Sequence, residues 1–81
     1  MALKRKQEDI FLNIEEARLF AAHLQKTRKS KKLTQEDLAF EANVDRVTIA
    51  RIETAQQNFT FDILISIAKA LKVSPKELLD F

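Results

Sequence analysis

Apolar residues recur at helical spacing from Asn13 onward. Asn13 and Glu16, three residues apart, form the pattern of a capping box at the start of a helix. The apolar positions behind them are spaced three or four residues apart, at Ala17, Phe20, Ala21 and Leu24. This spacing predicts a first helix over residues 14–30, whose lysines at the carboxyl end suit the negative end of the helix dipole.

Two shorter helices follow and are separated by only three residues. Thr34 and Asp37 form a second capping box ahead of a short helix. Asn43 ends this helix, because asparagine replaces glycine well where φ is positive, and Asp45 is placed to cap the next one. The third helix is predicted over residues 46–53.

The last third of the chain predicts a polar loop and two further helices. The loop covers residues 54–59, with Asn58 as its turn former. Thr60 caps a fourth helix, and Pro75, which suits a first helical position, opens a fifth. No segment shows a sustained period-two alternation and no Asn-Gly or Asp-Gly pair occurs, so no strand is predicted.

These elements predict an all-α fold of five short helices. Residues 1–13 are interpreted as a basic amino-terminal segment and residues 14–81 as the folded domain. The apolar patch at 10–12 is expected either to cover the core or to join an interface. A chain of this length buries only about 60% of its unfolded surface, so a dimer is the default expectation.

The chain contains no glycine, no cysteine and a single histidine, His23. Walker-type loops and dinucleotide-binding motifs need glycine where the backbone approaches phosphate, so both are excluded. One histidine without cysteine supplies neither a zinc ligand set nor a catalytic triad with a choice of partners. We therefore expect a protein that is not an enzyme and that uses no metal and no cofactor.

No membrane or leader segment is predicted. The longest apolar runs are four residues, whereas a membrane span needs about 20. The basic start of the chain continues into Glu8 and Asp9 instead of an apolar stretch, so it does not read as a signal peptide. The expected location is the cytoplasm.

Positive charge is concentrated in the first 32 residues, which hold nine lysines and arginines against four acidic residues. Its densest part comprises Lys26, Arg28, Lys29, Lys31 and Lys32. This cluster is interpreted as a general electrostatic face that attracts phosphate.

The third helix carries the residues that point to a function. Two short helices joined by a three-residue turn can present the second one to the major groove of DNA. Ile49 and Ile52 are expected to face the core. The outer face then presents Arg46, Val47 and Arg51. Arginine can bind guanine O6 and N7, and valine can contact the thymine methyl group, although the alternative is that both arginines are ordinary solvated side chains.

The chain resembles the Cro/cI-type, or Xre, family of helix-turn-helix regulators. The resemblance lies in Leu33-Thr-Gln-Glu-Asp-Leu-Ala39 and in Ala42-Asn-Val-Asp-Arg-Val-Thr-Ile-Ala-Arg-Ile-Glu53. It continues through the apolar positions of the family's fourth and fifth helices. It implies a lambda-repressor-like domain in which helices 2 and 3 form the helix-turn-helix.

The resemblance also implies roles for individual residues. Base contacts are implied for Arg46, Val47, Thr48 and Arg51. Phosphate contacts are implied for Thr34, Gln35, Thr54, Gln56 and Asn58. The glutamine is also implied to brace the recognition helix. A structural ion pair that ties the first helix to the end of the third is implied for Arg28 and Glu53.

Several positions where the family often has glycine carry other residues here. Lys32, Asn43 and Ala55 stand at three of them. Positive φ angles or otherwise tight backbone positions are therefore expected at Lys32, at Asn43, and at either Ala55 or Asn58. Asp45 replaces the usual serine or threonine cap, and capping is expected to be retained.

The fourth helix is apolar on more than one face, and a helix that is apolar all round must be buried by something. The excess over what helices 2 and 3 can cover predicts a homodimer interface at Phe61, Ile65, Leu79 and Phe81. The alternative is that these residues close the core of a monomer. Apart from Phe11, the phenylalanines are interpreted as core or interface residues and not as base-stacking platforms.

We therefore expect a sequence-specific, DNA-binding transcriptional regulator that acts as a homodimer on a palindromic operator in double-stranded DNA. Within the family, the motif residues favour the stand-alone controllers of restriction–modification systems. The alternatives are a phage-type repressor or an antitoxin, in which the same fold would hold a protein partner.

Overall fold

The structure, a computed structural model, describes residues 9, 10 and 12–81. This part of the chain contains five helices, and the all-α prediction is confirmed. They are α1 (Ile14–Ser30), α2 (Gln35–Ala42), α3 (Arg46–Glu53), α4 (Phe61–Leu71) and α5 (Pro75–Leu78). α2 packs against both α3 and α4, and α1 packs against α3 and α5, so the short helix α3 is held from two sides.

Reciprocal capping boxes start three of the helices. Asn13, Thr34 and Ser74 each accept the backbone N–H three residues ahead, and the acidic side chain at that position accepts the cap residue's own N–H. In the α2 box, the backbone N–H of Thr34, and then its hydroxyl, lower the pKa of Asp37 below its usual value. The ionised carboxylate therefore supports α2 at neutral pH, and that support is lost as the pH falls through the lowered pKa.

Asp45 departs from its predicted role. It occupies the N-cap position of α3 with extended backbone angles, but its side chain makes no capping hydrogen bond. The expectation of a retained cap is therefore wrong. The residue is exposed, so water can solvate the carboxylate without a bond to the helix.

A two-residue ribbon joins the start of the described chain to the segment before α4. β1 (Asp9–Ile10) runs antiparallel to β2 (Phe59–Thr60). The pattern along the sequence predicts no strand because two residues are too few to show an alternation. The ribbon ties part of the predicted amino-terminal segment to the helical domain.

Phe20 is a fully buried core residue with two aromatic partners. Its ring stacks on Phe59 with the ring centroids 4.8 Å apart, and Phe81 meets it edge-on at 5.9 Å. Phe59, the last residue of the predicted polar loop, is buried, which agrees with its interpretation as a core or interface residue. Phe40 is the opposite case, because its α2 side chain is 83% exposed and belongs to no core.

Aliphatic side chains from all five helices complete the core. The largest that are fully buried are Leu24, Leu38, Ile49, Ile52, Leu64, Ile67, Leu71 and Leu78. Leu12 packs against this core, whereas Phe11 of the predicted apolar patch lies outside the described residues. No helix within the described range is long and apolar enough to cross a membrane.

Among the described residues, four take the left-handed backbone conformation that glycine favours. Their φ angles are 61° at Lys32, 55° at Asn43, 59° at Ala55 and 59° at Lys72. Ala55, and not Asn58, therefore makes the turn after α3. Lys72 ends α4, and the sequence pattern misses it because a lysine near a helix carboxyl end is already explained by its charge.

Replacing Ala55 by glycine is expected to raise the free energy of unfolding by about 1 kcal/mol. The left-handed conformation costs a residue with a Cβ about 1–2 kcal/mol, and glycine's greater freedom in the unfolded chain cancels part of the gain. Urea denaturation followed by circular dichroism measures the change. The matched control is Ala22→Gly on the exposed side of α1, which is expected to lower stability by about 1 kcal/mol. A loss of stability in Ala55→Gly would contradict the strain argument.

Candidate nucleic-acid interface

The last residue of α3, Glu53, carries a carboxylate with no exposed surface. Arg28 Nε donates to its Oε2 at 2.7 Å, and Arg28 Nη2 donates to its Oε1 at 3.0 Å. Gln35 Nε2 adds a hydrogen bond to Oε1 at 3.1 Å, and Arg28 Nη1 donates to the Leu33 carbonyl oxygen at 2.7 Å. These four residues, here called the Glu53 cluster, contain the ion pair that the resemblance implies. They join α1, the α1–α2 turn, α2 and α3.

The backbone at the end of α3 is fixed by further bonds. Gln25 Nε2 of α1 donates to the Glu53 carbonyl oxygen at 3.2 Å. Beyond the helix, the N–H of Gln56 returns to the Arg51 carbonyl oxygen at 2.8 Å, which the left-handed turn at Ala55 makes possible. The segment that follows α3 therefore leaves the helix in a defined direction.

The outer face of α3 presents the predicted residues to solvent. Ile49 and Ile52 are buried, as expected from the spacing. Arg46 and Arg51 are exposed, Val47 is 46% exposed, and within the described residues neither arginine is taken up by an ion pair. Both guanidinium groups are free to meet a partner.

The remaining residue with an implied base contact is less accessible. Thr48 is half-buried, as is Ala50, whose small side chain lets a partner approach the helix closely. The accessible part of the face is therefore centred on the two arginines and the valine between them.

Two of the implied phosphate contacts stand at the start of α2. Thr34 is exposed, and its hydroxyl accepts the Asp37 N–H at 2.9 Å, so it acts first as a helix cap. Gln35 is half-buried and gives one amide hydrogen to Glu53, which leaves the second for another acceptor. Gln35 therefore braces α3, as the resemblance implies.

The other three implied phosphate contacts follow α3. Thr54, Gln56 and Asn58 line one groove of about 420 Å³, here called the loop groove, together with Arg18 and Ala55. Thr54 and Gln56 are exposed and Asn58 is half-buried. The sequence gives no sign of Arg18, because a single arginine on an exposed helix face matches no motif.

The four residues of the predicted dimer interface differ in exposure. Phe61 is 59% exposed, Leu79 41% and Phe81 42%, whereas Ile65 is half-buried. Phe61 and Ile65 stand one turn apart on α4, so their side chains lie on the same face. The described chain therefore leaves much of the apolar surface of Phe61, Leu79 and Phe81 uncovered, although Phe81 also meets Phe20 edge-on.

His23 makes a structural contact between two helices. Its Nε2 lies 3.0 Å from the Glu77 carbonyl oxygen, which links α1 to α5. Within the described residues, no three His, Cys, Asp or Glu side chains are grouped so that they could hold a metal ion.

Comparison with known proteins gives concordant matches. Residues 24–78 match the family model described as helix-turn-helix. The chain is 44% identical over 64 residues to control protein C.BamHI of Bacillus amyloliquefaciens, a match that covers 78% of this chain and 79% of that protein. The crystal structure of the restriction-modification controller protein C.AhdI from Aeromonas hydrophila is similar with a TM-score of 0.78 and 33% identity, over 79% of this chain and 97% of that one.

A second solved structure gives the same result. The wild-type restriction-modification controller protein C.Esp1396I is similar with a TM-score of 0.72 and 37% identity, over 79% of this chain and 86% of that one. These relatives are similar to this chain over most of the length of each, so the likeness extends beyond the helix-turn-helix segment itself.

Breaking the Glu53 cluster is expected to be strongly destabilising. Arg28→Met or Glu53→Leu alone should lower the free energy of unfolding by about 3–5 kcal/mol, because each leaves one charge buried without its partner. The double variant should lose much less than the sum of the two, since no charge then remains buried. Urea denaturation of the four proteins gives the double-mutant cycle.

The control for this cycle is Glu41→Leu, which removes a carboxylate from the exposed side of α2 and is expected to change stability by no more than about 0.5 kcal/mol. Additive losses in the cycle would show that the two side chains act independently.

Proposed function

The chain belongs to the Cro/cI-type (Xre) helix-turn-helix family, and from that premise we propose that it controls restriction–modification genes as a homodimer bound to a palindromic operator. It is a DNA-binding transcriptional regulator and not an enzyme, as its relatives are controllers. The observation that carries the finer proposal is the unpaired Arg46–Arg51 face of α3, held out to solvent by the Glu53 cluster.

Reading of bases falls to α3. Arg46 and Arg51 each offer a planar set of donors that fits guanine O6 and N7, and Val47 offers an apolar contact for a thymine methyl group. Thr48, which is half-buried, would contact a base or a nearby phosphate. Since these groups lie on a single short helix, each subunit would read one half-site.

Contacts to phosphate would position that helix. Thr34 and Gln35 lie at the start of α2, while Thr54, Gln56 and Asn58 follow the end of α3. Contacts of this kind fix the register of a protein on the duplex and carry no sequence information of their own. Gln35 connects the two tasks, because the same amide group bonds to Glu53 at the end of α3.

Dimerisation would use the uncovered apolar area on α4 and at the carboxyl end. Phe61, Leu79 and Phe81 are large apolar side chains with 41% or more of their surface exposed. A second copy of the chain would bury them and set two recognition helices about one turn of DNA apart, the spacing that a palindrome requires. The alternative is that this apolar area binds a different protein, and a measurement of self-association distinguishes the two.

Arg46→Ala is expected to weaken specific DNA binding by about 1–3 kcal/mol, or roughly 5- to 150-fold, and to relax the preference at one base pair. The probe is the set of duplexes recovered by in vitro selection with the wild-type protein, and fluorescence anisotropy is measured on single-base variants over a range of salt. Lys69→Ala, which removes an exposed charge from α4, is the control and should bind like the wild type. An equal loss on every duplex would make Arg46 a phosphate contact, and selection of no specific site would overturn the proposed function.

Phe61→Glu combined with Leu79→Glu is expected to convert the dimer into a monomer. Each substitution places a charge in the apolar contact, and central apolar contacts can each contribute about 2 kcal/mol, so self-association should weaken by at least about 30-fold. Sedimentation equilibrium measures the effect. The control is Phe40→Glu, since Phe40 is more exposed than either residue but lies on α2. A wild-type protein that is itself monomeric would instead favour a separate protein partner for this area.

A further inference from the structure

One face of α1 carries a row of basic residues that the proposed interface does not use. The basic residues are Arg18, Lys26 and Lys29, and Ala22 lies between the first two. All four are exposed and follow each other at spacings of four, four and three. Residues at this spacing lie on one side of a helix. From Arg18 to Lys29 the row extends for about 16 Å along the helix axis.

This row forms one wall of a groove of about 510 Å³, here called the α1 groove. Its other wall is the turn that ends α3, at Thr54 and Ala55. The short side chain of Ala22, between two long basic ones, leaves the groove open to solvent. The opening is therefore bordered by cations on the α1 side.

Negative charge in the α1 groove is already neutralised. Its one carboxylate belongs to Glu53, whose side chain has no exposed surface and is bonded to Arg28. No acidic side chain of the described chain forms an ion pair with Arg18, Lys26 or Lys29. The groove thus presents three uncompensated positive charges.

The α1 groove continues into the loop groove. Both are lined by Arg18, Thr54 and Ala55, and the loop groove also contains Gln56 and Asn58. Since Thr54, Gln56 and Asn58 are the proposed phosphate contacts after α3, a DNA strand seated on them lies next to Arg18. The following phosphates of that strand then have the α1 groove in front of them.

We propose that the α1 groove is a second binding surface for the DNA backbone, in which Arg18, Lys26 and Lys29 hold phosphates flanking the half-site that α3 reads. The proposal rests on the proposed function, because it assumes that α3 and the loop groove are seated on DNA. Arg18 stands where the two grooves meet and takes the phosphate next to the loop contacts. Lys26 and Lys29 take phosphates further out along the same strand.

The chemistry of the surface fits a phosphate backbone better than a base edge. Lysine ammonium groups on flexible stems are point charges that follow a phosphate chain without selecting a base. Each phosphate neutralised by such a group releases condensed counterions, which makes binding more dependent on salt. The α1 groove should therefore add affinity on every sequence and leave base preference unchanged.

The test compares two triple variants with the same change of charge. Arg18→Gln/Lys26→Gln/Lys29→Gln removes the cations of the α1 groove, and Lys69→Gln/Lys72→Gln/Lys76→Gln removes three exposed cations from α4, its carboxyl end and α5. Circular dichroism melting shows that both are folded. The probes are the duplexes recovered by in vitro selection with the wild-type protein, prepared with and without about ten extra base pairs, or one helical turn, at each end.

The α1 variant is expected to lower the slope of log Kd against log salt by about two to three relative to the control variant, since each lost phosphate contact removes about 0.9. It should keep the wild-type base preferences and should gain less affinity than the wild type from the added flanks. Equal slopes in the two variants, with wild-type binding still specific, would overturn this proposal and leave the proposed function intact. A wild-type protein that selects no duplex would instead overturn the proposed function itself.

Discussion

The position of α3 depends on the buried carboxylate of Glu53. Taking a carboxylate out of water costs several kcal/mol, and only close partners that are themselves well bonded offset that cost. Arg28 supplies two bonds to the carboxylate and uses its remaining nitrogen on the Leu33 carbonyl oxygen, while Gln35 supplies a third. α3 has eight residues, too few to be stable as an isolated helix, and its aliphatic contacts with the core come from Ile49 and Ile52. The outer face of α3 therefore keeps its position only while the Glu53 cluster is intact.

The absence of glycine sets a second constraint, which meets the first at the end of α3. A turn there needs a positive φ, and Ala55 adopts it at 59° although its Cβ makes that conformation unfavourable. The bonds around the turn hold it in place: Gln56 returns to Arg51, and Gln25 holds the Glu53 carbonyl oxygen. The hydrogen bonds that fix the end of α3 thus also offset the backbone strain at Ala55. The strained turn gives the segment after α3, which lines the loop groove, a defined direction.

The sequence predicts the helices well because their ends carry local signals. Asn13, Thr34 and Ser74 each bond within three residues, so the pattern and the structure agree. Asp45 has the same kind of signal and makes no cap, because an exposed carboxylate can be satisfied by water. Phe59 is assigned to the core or an interface by its apolar ring alone, whereas its packing partner Phe20 is far away in the chain and no local pattern predicts it.

The same distinction between local and distant effects applies to the candidate nucleic-acid interface. The exposure of Arg46, Val47 and Arg51 follows from helical spacing once Ile49 and Ile52 are assigned to the core. The α1 groove does not follow from it, because it exists only where α1 passes the turn after α3. The conformational cost of having no glycine also arises at single residues. No left-handed conformation is predicted at Lys72, because the sequence pattern cannot distinguish a lysine that interacts with the helix dipole from one that forms a left-handed turn.

The distribution of charge supports the proposed joint action of α1 and α3. Residues 33–53, which contain the helix-turn-helix, hold two basic residues against five acidic ones, so this segment alone repels a polyanion. One of the five, Glu53, is hidden and neutralised by Arg28, but Asp45 stays exposed beside Arg46. The attraction that brings α3 to DNA must therefore come from outside the motif, and the first 32 residues hold most of the basic side chains. Arg28 belongs to that basic part and Glu53 to the motif, so the bond between them joins the helix for which we propose electrostatic attraction to the helix for which we propose base reading. A change that loosens this bond would separate the two proposed roles even if both helices remained folded.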